Sequence, residues 1–150
     1  MKPDVVAKAS RSVVERVLEA GKRQDSAAFV ALLAPDAVIE WPYRPEGVPG
    51  RLQGRAEIFA FMDRAARSLV TFDEYRDVVI HETADPEVTI VEYEVFGRVT
   101  STDGPFHQTV IAVIRVRDGL VVSYRDYINP LPLMAVLAAQ QQTEAGPDAN

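Results

Sequence analysis

The chain has 150 residues, of which 47% are hydrophobic and 25% charged, so it can bury a substantial core as one domain. Its net charge of −6 argues against nucleic-acid and anionic-membrane partners, and no apolar run approaches the roughly 20 residues that cross a bilayer. Cysteine is absent, and the two histidines, His81 and His107, lack metal-ligand spacing. Because the opening segment is amphipathic and not a signal peptide, we expect a cytoplasmic protein. The missing cysteines and the histidine spacing predict a protein without a metal site, and we expect no organic cofactor.

The first half of the chain has helical periodicity. Apolar residues at helical spacing predict a helix over residues 5–22, with Gly21 near its end. Asp25 and Ser26 can cap a second, short helix that Pro35 ends. Next come a short strand at 37–41, a loop rich in proline and glycine at 42–53, and a third helix at 55–69.

The second half of the chain has extended periodicity. Short turns with Gly, Pro and Asp, such as Asp118-Gly119, separate the apolar runs and imply antiparallel pairing. Helices followed by such a meander indicate an α+β fold. The predicted elements are strands at 75–82, 88–100, 106–117 and 120–128, a terminal helix at 131–142, and a disordered tail at 143–150. We therefore expect a single domain over residues 1–142.

Asp126 is the most informative residue of the last predicted strand. Its neighbours are mainly Val, Ile and Tyr, and Asp is disfavoured in strands. A carboxyl group inside a sheet has a raised pKa, which makes it a candidate for proton transfer. The alternative is that Asp126 pairs with Arg125 or faces water.

Both faces of the last two strands carry apolar side chains, although an antiparallel sheet with one wet face should alternate cleanly. We expect one face to pack against a second copy of the chain, and the alternative cover is the chain's own terminal segment. The predicted dimer face carries Ile111, Val113, Val121 and Ser123, and the predicted pocket face carries Ala112, Ile114, Val122, Tyr124 and Asp126.

The order of elements resembles the NTF2-like superfamily, which includes ketosteroid isomerases, SnoaL-like polyketide cyclases and limonene-epoxide hydrolases. The resemblance spans about residues 5–135. Three motifs carry it: Leu33-Ala34-Pro35-Asp36-Ala37-Val38 leading into Glu40-Trp41-Pro42, then Leu52-Gln53-Gly54-Arg55-Ala56-Glu57-Ile58, then Tyr124-Arg125-Asp126-Tyr127. Glu40-Trp41-Pro42-Tyr43 with Asn129-Pro130 is similar to the SnoaL-like and phenazine-biosynthesis subgroup. The resemblance implies a cystatin-like cone of three N-terminal helices on a curved, mostly antiparallel sheet.

The resemblance also implies roles for particular residues. Asp126 matches the general acid or base of the epoxide hydrolases. The strand before Pro42 supplies a second polar group in these families, and here it offers Glu40, Trp41 and Tyr43. Glu40 and Trp41 point to opposite faces, and the sequence leaves open which one points inward.

Two departures from the family patterns limit the activity. Epoxide hydrolases pair the last-strand Asp with an Arg-x-Asp motif, but here the long strand reads Tyr93-Glu94-Val95-Phe96-Gly97-Arg98. Ketosteroid isomerases need a Tyr on the first helix and an Asp before the Pro, but residues 5–22 have no Tyr and Trp41 precedes Pro42. Neither activity is expected as such.

We therefore predict a cofactor-independent enzyme that cyclises or isomerises an apolar, polyketide-type intermediate by acid–base chemistry. Asp126 would move the proton, Glu40 or Glu94 would assist, and Tyr43 would orient an oxygen. The candidate substrate-binding residues are Trp41, Phe59, Phe96, Gln108 and Tyr124. The alternative is a non-catalytic module that binds a ligand or a protein, since the fold hosts many functions.

Overall fold

The computed structural model describes residues 2–145 and shows three helical segments, a mixed sheet and a terminal helix. The first helix, α1, has proline at its start, where the missing N–H costs nothing, and α2 is capped by Asp25, which accepts a hydrogen bond from the Ala28 amide at 3.0 Å. The helices are α1 (Pro3–Lys22), α2 (Ser26–Ala31), α3 (Arg55–Ala60), α4 (Arg67–Leu69) and α5 (Pro130–Ala145).

Six strands form one curved, open sheet in the order β2-β1-β6-β5-β4-β3. All neighbouring pairs are antiparallel except β1 and β6, the first and last strands of the chain, which run parallel. The strands are β1 (Leu33–Glu40), β2 (Arg51–Gln53), β3 (Val70–Glu82), β4 (Val88–Val99), β5 (Pro105–Arg117) and β6 (Leu120–Ile128). The predicted α+β class and NTF2-like cone are confirmed.

The predicted boundaries around β1, β2 and β3 differ from those in the structure. Pro35 does not end α2; it lies inside β1, where a register irregularity between Leu33 and Val38 accommodates a residue without an N–H donor. The short strand β2 lies within the predicted loop. β3 begins at Val70, five residues before the predicted start.

The third helix contains a π-helical segment, Phe61–Ala66, between α3 and α4. Gly54 begins this helix with φ 90°, a conformation that favours glycine, and the Arg55 side chain donates to the Leu33 carbonyl at 2.8 Å. The Gly-Arg motif therefore joins the helix to the start of β1.

The inner face of the sheet is buried under α1 and the third helix, and α5 covers one end. A bulge in the β5–β6 pair sets Val121 opposite Val116 and Ser123 opposite Arg115. Val121 is fully buried, so its predicted place on the outer face is wrong: the bulge reverses the alternation before Tyr124.

The predicted disordered tail lies only partly within the described residues. α5 continues to Ala145, three residues past the predicted end of the domain, and residues 146–150 lie outside the described range. Within residues 2–145, no helix is long and apolar enough to cross a membrane.

Candidate functional site

A cavity of about 250 Å³ lies between the inner face of the sheet and the helices. Its walls are mostly apolar, and every layer of the fold contributes, with Val17, Phe29, Ile39, Phe61, Val95 and Leu133 as examples. Asp126 is the only lining residue, among those that the structure describes, with a formally charged side chain. Among the described residues, a ligand in this cavity therefore meets one side chain that can carry a charge, that of Asp126.

Only one of the two carboxyl oxygens of Asp126 has a hydrogen-bond partner among the described residues. The Trp41 indole Nε1–H donates to Oδ2 at 3.0 Å, whereas Oδ1 is buried and has no hydrogen-bond partner within residues 2–145. Burial raises the pKa of Asp126 to about 7, and the Trp41 hydrogen bond lowers it in part. The group therefore changes protonation near neutral pH and presents an unpaired oxygen.

The parallel pairing of β1 with β6 brings Trp41 to Asp126. In this register Ile39 lies beside Tyr124, and Glu40 lies beside Arg125. The next pair along the two strands, Trp41 and Asp126, therefore lies on the cavity face. Trp41 lines the cavity and packs on Phe61, with ring centroids 5.2 Å apart. The open choice between Glu40 and Trp41 is thereby settled in favour of Trp41 pointing inward.

Three tyrosines from three strands lie together in the cavity wall: Tyr75 from β3, Tyr93 from β4 and Tyr124 from β6. The Tyr75 and Tyr93 rings lie 4.6 Å apart, as measured between their centroids. Burial, and secondarily nearby groups that include Asp126, raises the pKa of each hydroxyl. All three therefore stay protonated and can donate hydrogen bonds.

Sequence reasoning missed Tyr75 and Tyr93 as site residues. Tyr93 alternates in step with the apolar residues Val91 and Val95 of its strand, and this set is the buried one. A tyrosine in such a set signals a hydroxyl that needs a buried partner.

Gln108 lies on the cavity wall, as predicted for a substrate-binding residue, and its Nε2 donates to the Asn129 carbonyl at 3.1 Å. Gln24, from the turn after α1, was not predicted. It bridges to β3 by donating to the Val70 carbonyl at 3.2 Å and accepting from the Phe72 amide at 3.0 Å. Both amide side chains line the cavity.

Glu94 and Phe96 lie on the outer face of β4, which corrects their predicted place in the cavity. Alternation along the strand turns Tyr93 and Val95 inward and these two residues outward. Glu94 accepts a hydrogen bond from His107 at 2.9 Å, and Phe96 stacks on the same imidazole, with ring centroids 4.5 Å apart.

Glu40, Tyr43 and Phe59 also lie outside the cavity lining, contrary to their predicted positions. Glu40 has the opposite parity to Ile39 and Trp41. Tyr43 follows Pro42 out of the strand, is 62% exposed and packs edge-on against Tyr127 at 5.5 Å. Phe59 is 39% exposed on the outer side of α3, which turns Ile58 inward instead.

The residues described hold no cluster of three or more His, Asp or Glu side chains suited to a metal ion. His81 and His107 each pair with a glutamate on the sheet surface. The prediction of a metal-free, cofactor-free site stays a prediction.

The sequence profile of the SnoaL-like domain matches residues 14–124, most of the helices and sheet just described. The chain belongs to the SnoaL-like family. The resemblance found in the sequence motifs is thereby confirmed.

Two relatives are similar to this chain over most of their length. An uncharacterized PhzA/B-like protein of Pseudomonas aeruginosa is 39% identical over 116 residues, covering 77% of this chain and 79% of the relative. The uncharacterized protein YesE of Bacillus subtilis is 35% identical over 108 residues, covering 72% of this chain and 73% of the relative.

Solved structures share the SnoaL-like fold. A Bacillus subtilis protein named as a candidate isomerase superposes with a TM-score of 0.81 at 28% identity, covering 92% of this chain and 96% of that one. A candidate polyketide cyclase of Pseudomonas putida superposes with a TM-score of 0.70 at 22% identity, covering 84% of this chain and 96% of that one, and shows the fold alone.

Proposed function

We propose that this SnoaL-like chain is an acid–base enzyme that isomerises or cyclises an apolar small molecule, with Asp126 as the group that moves the proton. One observation carries the proposal: the Oδ1 atom of Asp126 is buried, has no hydrogen-bond partner within residues 2–145, and belongs to a residue that lines a mostly apolar cavity. Native proteins rarely leave a buried acceptor unsatisfied, so such an atom points to a reactant or a ligand.

The chemistry follows from a carboxyl group with a pKa of about 7. At neutral pH its ionised and protonated forms are both populated, so it can remove a proton at one carbon and return it at another. Trp41 holds the second oxygen at 3.0 Å and fixes the plane of the carboxyl group. This arrangement suits enolisation, the first step of many isomerisations and cyclisations of carbonyl compounds.

The shape of the cavity supports a compact, polyketide-type substrate. Its volume of about 250 Å³ lies just below the range of about 300–1,000 Å³ that is usual for small-molecule pockets. The similar Bacillus subtilis structure is named as a candidate isomerase, which supports the reaction class, although its substrate is not part of that name.

A non-catalytic ligand-binding module is the second candidate, and one observation favours it. Glu40 and Glu94, the two glutamates predicted to assist Asp126, lie outside the cavity lining, so no second carboxylate accompanies Asp126 there among the described residues. A binder requires the pocket but no proton transfer.

We also propose that two copies pair through the outer face of the sheet. Ile111 is 46% exposed at the centre of that face, and Val113 and Tyr127 lie half-buried beside it. Apolar side chains in the middle of an open sheet favour cover by a partner surface, and most soluble homo-oligomers are two-fold dimers. The cytoplasmic location stays a prediction.

Asp126→Asn tests the enzyme proposal directly. The assay follows exchange of the α-hydrogens of enolisable ketones, beginning with 2-tetralone, into D2O by proton NMR. We expect wild-type protein to accelerate exchange and Asp126→Asn to lower that rate by about 10²- to 10⁴-fold, because the proton-transfer group is lost while its shape is kept.

Glu40→Gln is the matched control, since it removes a carboxyl group from the adjacent strand on the opposite face. It should exchange at the wild-type rate. Equal rates for wild type and Asp126→Asn would remove Asp126 from the mechanism. Tight binding of ketones that wild-type protein never exchanges would favour the binding module.

A further inference from the structure

We propose that the side-chain amide of Gln108 accepts a hydrogen bond from a hydroxyl group at the end of the ligand far from Asp126, so that the cavity selects bicyclic ketones with a hydroxyl on the second ring. This inference deepens the proposed function and rests on it for the ketone end of the ligand. The hydroxyl end stands on Gln108 alone.

The orientation of the Gln108 amide is fixed by a backbone carbonyl. Its Nε2 donates to the Asn129 carbonyl at 3.1 Å. Because a carbonyl oxygen can only accept, the nitrogen of the amide has to face Asn129, and Oε1 faces away from it. Asn129 is held in turn, since its amide donates to the Thr109 carbonyl at 2.9 Å and its Oδ1 accepts from the Leu131 amide at 3.1 Å. The direction of the Gln108 amide is therefore set before a ligand arrives.

Gln108 offers the cavity an unused acceptor. The residue lines the cavity and is 7% exposed, and no residue within 2–145 donates to its Oε1. In the same range, Oδ1 of Asp126 is the one fully enclosed side-chain oxygen without a partner, so Oε1 of Gln108 retains accessible surface. Gln24, the other amide of the described lining, differs because its oxygen already accepts from the Phe72 amide. The partner that Gln108 lacks is a hydrogen-bond donor.

Gln108 lies on the same face of the sheet as Asp126 but well along it. Asp126 is opposite Ala112 in the β5–β6 register, and Gln108 precedes Ala112 by four residues, with the same parity. Four residues of a strand span about 13 Å at about 3.3 Å per residue. The neighbours of Gln108, Val95 across β4 and Val110 along β5, are apolar and buried. A ligand that extends from Asp126 along β5 therefore meets this amide among apolar side chains.

The spacing of the two groups defines the length of the ligand. A contact of about 3 Å at each end leaves about 7 Å between the α-carbon that Asp126 approaches and the hydroxyl oxygen. Two fused six-membered rings have about this reach between their opposite ends. A hydroxyl at the far end donates to Oε1, whereas an ether or a second ketone cannot. The geometry therefore favours a hydroxylated bicyclic ketone.

The test is isothermal titration calorimetry with 6-hydroxy-2-tetralone and three relatives. These are 2-tetralone, 6-methoxy-2-tetralone and the isomer 8-hydroxy-2-tetralone, whose hydroxyl lies close to the α-carbon. Wild-type protein should bind the 6-hydroxy compound at least about tenfold more tightly than each relative, because a ligand without a donor at that position leaves the amide oxygen enclosed and unpaired. Gln108→Met keeps the length of the side chain and removes the amide, so it should bring the four affinities within about threefold of one another.

Gln141→Met is the matched control, since Gln141 is exposed on α5 and is not part of the cavity lining. It should keep the wild-type preference for the 6-hydroxy compound. Equal affinities of wild-type protein for the 6-hydroxy and 8-hydroxy isomers would overturn the inference, and this result does not require any variant to fold. Equal binding of the 6-methoxy compound, equal weakening of all four ketones in Gln108→Met, or no ketone binding at millimolar concentration would each overturn it as well.

Asp126→Asn separates this inference from the proposed function. If that variant exchanges 2-tetralone as fast as wild type while wild-type protein prefers the 6-hydroxy compound through Gln108, the hydroxyl recognition stands and the acid–base role fails. If Asp126→Asn loses exchange but wild-type protein does not distinguish the two hydroxyl isomers, the proposed function stands and the role of Gln108 fails.

Discussion

Asp126 lowers the stability of the fold that holds it. Its pKa is about 7 in the folded chain and 3.8 for an ordinary aspartate, so between these pH values the unfolded chain binds fewer protons than the folded one. Stability therefore falls as pH rises through this window, by about 4 kcal/mol in all at about 1.4 kcal/mol per pKa unit. Below pH 4 both states are protonated and this term vanishes.

Asp126→Asn should therefore stabilise the chain at alkaline pH. We expect the variant to exceed wild type in unfolding free energy at pH 8, by an amount that shrinks steadily towards pH 4. Urea unfolding of both proteins at pH 4.5, 6 and 8 measures this difference, with Glu40→Gln as the control. A difference that does not change with pH would contradict the raised pKa of Asp126.

At the residue scale, the sequence pattern was sufficient to predict the position of Asp126 but not which residues surround it. The position of Asp126 followed from a polar residue in an apolar last strand. Which of Glu40 and Trp41 faces inward depends on the parallel register with β6, a pairing between residues 85 positions apart that no local pattern reports. Glu94 was predicted to lie inside the cavity, but alternation along β4 turns Tyr93 inward and Glu94 outward.

At the element scale, the π-helical segment brings four side chains to the cavity from one short stretch: Phe61, Met62, Ala65 and Ala66. The wider turn places residues five apart in contact along the backbone, which alters the direction of the side chains that follow. Apolar spacing predicted the helix over 55–69, but spacing in six residues does not separate a π-helical turn from an α-helical one. Functional sites often contain such segments.

Close approach of β3 to β4 makes Gly97 indispensable to the sheet. A Cβ at this position would lie 2.0 Å from the Thr71 backbone oxygen, so the strands would have to move apart. We expect Gly97→Ala to destabilise the chain by about 1–3 kcal/mol or more, measured as a lower urea midpoint.

Gly104→Ala is the matched control for Gly97→Ala, because its Cβ would meet only the Thr102 hydroxyl, at 3.1 Å, which can rotate away. It should shift the urea midpoint much less. Equal shifts of the urea midpoint in the two variants would show that β3 can move away from β4 at little cost in stability. An isolated glycine inside a strand is typical of such a close approach, but the sequence does not show which backbone comes near Gly97.

At the scale of the whole molecule, the predicted dimer depends on the outer face of the sheet. Val113→Lys places a charge beside Ile111 on that face and away from the cavity. We expect wild-type protein to sediment as a dimer at micromolar concentration and Val113→Lys as a monomer with 2-tetralone binding retained, because a lysine at an apolar interface must be desolvated.

Val5→Lys is the control for Val113→Lys, since Val5 is 47% exposed on α1, away from the sheet face. It should remain dimeric. A wild-type monomer at micromolar concentration would contradict the dimer. Short turns were enough to predict the antiparallel meander, and the cone was implied by the family resemblance. The bulge that buries Val121 could not be foreseen from alternation alone.

The adjacency of the first and last strands has a consequence for how the protein is made. β1 leaves the ribosome early, but its parallel neighbour β6 is synthesised only after β3, β4 and β5. At about 5–20 residues per second, Trp41 precedes Asp126 by roughly 4 to 17 seconds, since 85 residues separate them. During that interval β1 can pair with β2, but the edge of β1 that pairs with β6 has no partner, so we expect the nascent N-terminal region to be prone to wrong strand pairing.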